Sequence, residues 1–280
     1  MVNRIPGAFA RAFFMVLLVA TPALLLPHAS SDTTQIVVLI AIFAAALTFF
    51  EYATDYPGLV EFRDAPPFNR IRFTGLYFTV FLLSIFVRGH TVESTSTHFV
   101  EAVGSLIGQA IDIPYSPVRL ITLMLPETAR AEDIDTLRTA SGMAYLISLV
   151  SLAVFLIVLR ITNWPHNGKK FNFWVNLPMF DPTTGGDVVE RLERDSRFNV
   201  ALGFMLPFLT PAIVKLASGY FGSISVVNDM TMIWTITAWA FLPASLFMRG
   251  IAMQKVAEMI KEQRARHVAL HGDDESLQPA

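Results

Sequence analysis

Glu51 and Asp55 stand four residues apart, on one face of any helix that carries both, and Glu61, Arg63 and Asp64 follow closely. Carboxylates in that number suit a divalent cation, and the arginine beside them suits a phosphorylated lipid head. No nucleophile–base pair, Gly-rich phosphate loop or metalloprotease motif accompanies the cluster. The chain has no cysteine, which excludes disulfides, thiolate metal sites and cysteine nucleophiles. His28, His90, His98, His166, His267 and His271 all fall in loops or the tail, so a haem held between two histidines of the apolar runs is not available. His90 and His98 with Glu93 and Glu101 have a spacing too unspecific to define a zinc site. The expectation is no catalytic residue, no metal and no cofactor, with a membrane-embedded lipid-modifying enzyme the least favoured reading.

Two further groups could act by binding rather than by reaction. In YPGLVEFRDAPPFNRIR, Pro66-Pro67 are expected to forbid helix and stiffen the segment, presenting Phe62, Arg63, Asp64, Phe68 and Arg70 in a fixed order. With Trp174 and Asp181 of a second loop, these are the candidate partner-contact residues. The plainer reading is a headgroup-level turn, with Arg on lipid phosphates and Phe anchored in the interface. The other group, a candidate translocation path, is Pro207, Thr210, Pro211, Lys215, Asp229 and Pro243. Each proline removes a helix hydrogen bond and permits a bend, as in the broken helices of transporters. Lys215 lies about 24 Å beyond Asn199 at 1.5 Å per residue, where it can snorkel to the interface or pair with Asp229.

The elements that must position these residues are membrane spans. Hydrophobic residues make up 53% of the 280 and charged ones only 16%, where roughly 25% charged is usual for a soluble domain. A crossing takes about 20 apolar residues. Six runs fit, at Ala8–Leu26, Gln35–Phe50, Phe73–Val87, Ser141–Leu159, Asn199–Ala217 and Thr231–Met248. With the N-terminus inside, all of the 21 Lys and Arg except Arg88, Arg119, Arg130, Arg138 and Lys215 fall on the inner side, as the positive-inside rule expects. The expected architecture is an all-α, polytopic bundle of six transmembrane helices, N-in and C-in, in a plasma or inner membrane, plus interfacial amphipathic helices. Residues 1–249 form the transmembrane domain, with an outer segment 88–140 and inner loops 51–72 and 160–198. Residues 250–280 form a cytoplasmic amphipathic helix and an acidic tail. The first run, with Arg4 and Arg11 ahead of it, also fits a signal peptide, which would leave five spans after cleavage near His28-Ala29-Ser30.

Between the spans the pattern predicts short helices. In HFVEAVGSLIGQAIDIP, Phe99, Val103, Leu106, Ile107, Ala110 and Ile111 recur at helical spacing, describing a helix that lies on the outer interface or packs on the bundle. An acidic helix is expected from Pro126, and another, capped by Asp187, through Arg197. After Arg249-Gly250, Val256, Met259 and Ile260 line the apolar edge of a basic helix suited to an anionic surface. The basic residues are dispersed and the net charge is −2, so nucleic acid is not an expected partner. Polar-poor spans beside shaped loops favour a non-catalytic membrane subunit or assembly factor that binds lipid and other membrane proteins. The alternative is a channel or secondary transporter using the fifth and sixth spans.

Overall fold

The computed structural model describes residues 4–27, 31–126, 128–165, 171–181, 183, 185–221 and 229–275. The possible cleavage site at His28–Ser30, and His166, Lys169, Lys170 and Pro182, lie outside the described residues. Every regular element described is a helix: α1 (Ile5–Leu25), α2 (Ser31–Ala53), α3 (Pro66–Gly89), α4 (Thr95–Ile111), α5 (Pro117–Thr122), α6 (Ala131–Thr162), α7 (Phe173–Asn176), α8 (Val188–Phe221) and α9 (Asp229–Glu275). Among them α1, α2, α3, α6, α8 and α9 are long and apolar enough to cross a membrane, which makes this a multi-pass membrane protein by length and composition.

One end of the bundle, the arginine end, gathers Arg4 against Asp55 at 3.3 Å and Arg249 against Glu61 at 2.6 Å. At the other, Arg88 Nη1 donates to the Leu25 carbonyl at 3.1 Å, and Asp112 takes Arg119 Nε at 2.7 Å and Arg138 Nε at 2.8 Å. Each end has its own apolar core. Leu83, Phe86, Ile233 and Trp239 belong to the one nearer Asp112, and Phe62, Phe68, Phe155 and Met253 to the one at the arginine end.

Burial of apolar surface drives little association inside lipid, so close backbone approach and satisfied polar groups must hold the helices together. Glycines supply the approach. A Cβ on Gly142 would lie 2.6 Å from Gly108 Cα, and one on Gly250 would lie 2.8 Å from the Ser196 carbonyl oxygen. The Ser196 hydroxyl donates to the Gly250 carbonyl at 2.8 Å across the same contact. Buried hydroxyls of Thr79 and Ser141 donate to carbonyls four residues back, at 2.9 and 2.6 Å, and so need no water.

Four expectations are corrected. Pro66 and Pro67 do not hold the loop extended but open α3: a first-turn proline lacks an N–H that would have no partner there, and its fixed φ suits the helix. Ala65, immediately before them, has non-helical backbone. The acidic helix starts at Ala131 rather than Pro126 and is continuous with the fourth span as α6. The helix capped by Asp187, whose Oδ1 accepts from Val189 N at 3.0 Å, runs on into the fifth span as α8. Likewise Gly250 does not interrupt α9, because a residue without Cβ is what the contact with Ser196 requires. The segment around Phe99 is helical as α4, opened by a reciprocal Ser94–Thr97 cap, and it packs on α6 of this chain through Gly104 and Gly108 and on α3 where Thr97 meets Gly89.

Candidate functional site

The loops at the arginine end are held by polar groups placed by the helices that flank them. Glu51, in the last turn of α2, accepts from the backbone N–H of Gly58, Leu59 and Val60 at 2.9–3.1 Å. A carboxylate is disfavoured at a helix C-terminus. Arg63 offsets this: its guanidinium donates to the carbonyls of Glu51, Thr54 and Asp55 at 3.2, 2.7 and 2.9 Å, closing the orphan acceptors that end α2.

Asn176 joins the two loops, and Asn69 ties the first of them to α3. Asn176 of α7 accepts at its carbonyl from Phe62 N at 2.6 Å, and at its side-chain oxygen from Asp64 N at 3.1 Å. Asn69 donates to the carbonyls of Glu61 and Phe62 at 2.8 and 3.2 Å. Phe62 has φ 52° and is fully buried, with its ring 4.5 Å from Phe68 and 5.9 Å from Trp164. A left-handed non-glycine residue costs roughly 1 kcal/mol or more, which the ring packing and the Asn176 bonds offset.

The candidate contact residues therefore divide. Phe62, Arg63 and Phe68 are buried and build the loop from within, whereas Asp64, Arg70, Trp174 and Asp181 are exposed. Asp64 stands 3.6 Å from Arg63 Nε. Asp181 shapes its own turn, accepting from Thr183 N and Oγ1 at 2.8 and 2.6 Å. Tyr56 and Trp174, 71% and 51% exposed, line a cleft of about 370 Å³ with Pro57 and Pro178. Leu59 and Met179, on the same two loops, are also exposed.

The carboxylates do not converge. Glu51 is spent on backbone N–H groups, Asp55 faces Arg4, and Glu61 makes a bidentate pair with Arg249 at 2.6 and 2.8 Å. Among the described residues no group of three His, Asp or Glu is placed to hold a metal ion.

Along the suggested path, Pro207, Pro211 and Pro243 are buried and Thr210 is half-buried. Pro207 and Pro243 lie where α8 meets α9: the Pro207 carbonyl accepts from Trp239, and the Pro243 carbonyl lies beside Gly203. Lys215 is exposed and donates to the Leu125 carbonyl at 3.2 Å, while Asp229 is exposed in the first turn of α9. Asn69, Asn176 and Trp239 were not singled out in the sequence. Their signal was faint: polar side chains able to meet loop or proline-freed backbone, with nothing to say which.

These features define a polytopic, all-helical membrane protein with a built loop surface at one end. Comparison with protein families, curated proteins and solved structures returns no match.

Proposed function

We propose that the chain is a non-catalytic membrane subunit or assembly factor that docks another membrane protein on the surface around Tyr56 and Trp174. One observation carries the reading. Asn176 and Arg63 spend their hydrogen-bonding capacity on fixing the 54–65 and 171–181 loops to each other and to α2, and the fixed loops leave Tyr56, Leu59, Trp174 and Met179 exposed. Pre-ordered aromatic and Met side chains lose little entropy on binding and are the residue types enriched at interface cores. The excess of Lys and Arg at this end supports a cytoplasmic location for it and for both termini, in a plasma or inner membrane.

The transport reading has less support. Its prolines are buried, the Pro207 carbonyl is closed by a neighbouring helix, and the larger cavities described lie between α1, α2 and α3 and between α3 and α6. A photo-crosslinking residue at Trp174 tests the docking surface: one discrete adduct in native membranes, absent when the crosslinker replaces lipid-exposed Phe43, supports it. Crosslinks to lipid alone at both positions would remove it.

A further inference from the structure

The N-terminal turns of α3 carry an exposed cation between two apolar grooves. The first groove, about 630 Å³, lies between α1, α2 and α3, and the second, about 450 Å³, between α3 and α6. Arg70 and Thr74 line both. Among the described residues Arg70 makes no hydrogen bond or ion pair.

The first groove is polar at the arginine end, where Arg11, Tyr52, Arg63, Asn69 and Arg70 meet, and apolar about one helical turn deeper at Phe14, Met15 and Phe73. It contains three guanidinium groups and no carboxylate. Arg63 is committed to the end of α2, and Arg11 lies 4.5 Å over the Tyr52 ring with one bond to the Gly7 carbonyl, so positive charge is left uncompensated. The second groove has no charged lining besides Arg70 and runs along Phe78, Leu82, Leu146, Val150 and Val154.

We propose that Arg70 and Arg11 bind the phosphate of one anionic diacyl phospholipid that straddles α3, with one acyl chain in each groove. Guanidinium forks suit a phosphate, and two grooves diverging from one cation suit two chains leaving one glycerol. A free phosphate would leave both grooves empty, and a zwitterionic lipid would place an ammonium beside two arginines. The site is separate from the Tyr56–Trp174 surface, so either proposal can fail without the other.

The test is native mass spectrometry of the purified full chain titrated with dioleoyl phosphatidylglycerol, dioleoyl phosphatidylcholine, oleoyl lysophosphatidylglycerol and inorganic phosphate. We expect the diacyl anionic lipid to bind about tenfold tighter than phosphatidylcholine, whose ammonium the two arginines repel, and about tenfold tighter than the single-chain lipid, which leaves one groove unfilled. Arg70→Gln and Arg11→Gln should each remove much of that preference, and inorganic phosphate should not displace the lipid. Equal binding of phosphatidylglycerol and phosphatidylcholine to the unaltered chain would overturn the proposal without recourse to any variant. Equal binding of the single-chain lipid would overturn the straddling geometry, and displacement by inorganic phosphate would make the ligand a soluble anion instead.

Discussion

The indole Nε1 of Trp239 in α9 donates to the carbonyl oxygen of Pro207 in α8 at 3.2 Å. Pro211, four residues after Pro207, has no N–H with which to close that carbonyl within its own helix. An open carbonyl at bilayer depth is costly, and the neighbouring helix supplies the donor. Trp239→Phe should therefore destabilise the folded protein by roughly 1 kcal/mol. In a Pro211→Ala background, where the helix can satisfy the carbonyl itself, the same change should cost less. Reversible unfolding in micelles measures the cycle, and additive losses would show that the two positions are not coupled.

Gly250→Val should separate α8 from α9, since its Cβ would meet the Ser196 carbonyl and Val200, each 2.8 Å away. A loss of about 2 kcal/mol or more is expected where backbone itself must move. Gly185→Ala is the control: nothing lies within 4 Å of its Cβ position, so its effect should stay within about 0.5 kcal/mol. Similar melting temperatures for the two variants would contradict the close helix contact.

Asp112 has a side chain only 6% exposed between Arg119 and Arg138. Asp112→Ala leaves two guanidinium groups facing each other where α4, α5 and α6 meet. Both arginines are partly solvated, so the cost should be about 2 kcal/mol rather than the 3–5 of a fully buried pair. Hydrogen exchange should quicken over residues 95–122 while α8 and α9 keep their protection, and unchanged exchange in α4 would contradict the role of Asp112.

The hydrogen bond from Arg264, with help from the Val189 N–H, holds the Asp187 carboxyl below the ordinary carboxylate range. A carboxyl lowered by folding stabilises while ionised, so its contribution is present above the ordinary range and is lost as pH falls through the lowered value. The part of α9 around Arg264 should become more susceptible to protease across that acid window. Asp187→Asn should be equally susceptible at neutral pH and lose that pH dependence. A wild-type profile in the variant would assign the transition to another group.

The six spans were legible because apolar length is a property of composition, and α4 because Phe99, Val103, Leu106, Ile107, Ala110 and Ile111 recur at helical spacing, although the side it buries carries Thr97, Val100, Gly104 and Gly108. Contacts between helices were not. The basic helix after Arg249-Gly250 reads as separate from the sixth span until Ser196 is seen against Gly250, and Pro66 reads as a breaker until α3 is seen to start there. At the candidate site the sequence marked the loop around Phe62 and Arg63 but not which of its side chains face outward. Phe62 and Arg63 turn inward because Asn176, more than a hundred residues away, takes up the loop backbone. The cluster of Glu51, Asp55 and Glu61 came apart for the same reason, each carboxylate meeting a partner that spacing alone does not reveal.

The most direct measurement is gentle extraction of the full chain from its native membrane through a C-terminal tag, in parallel with Tyr56→Ala/Trp174→Ala, with the co-purifying proteins quantified. Both side chains are exposed and leave the Asn176 and Arg63 bonds untouched. We expect a stoichiometric membrane-protein partner with the unaltered chain and at least a tenfold loss of it with the double variant, about 1.4 kcal/mol or more. Recovery of the unaltered chain alone, or an undiminished partner with the double variant, would contradict docking at this surface.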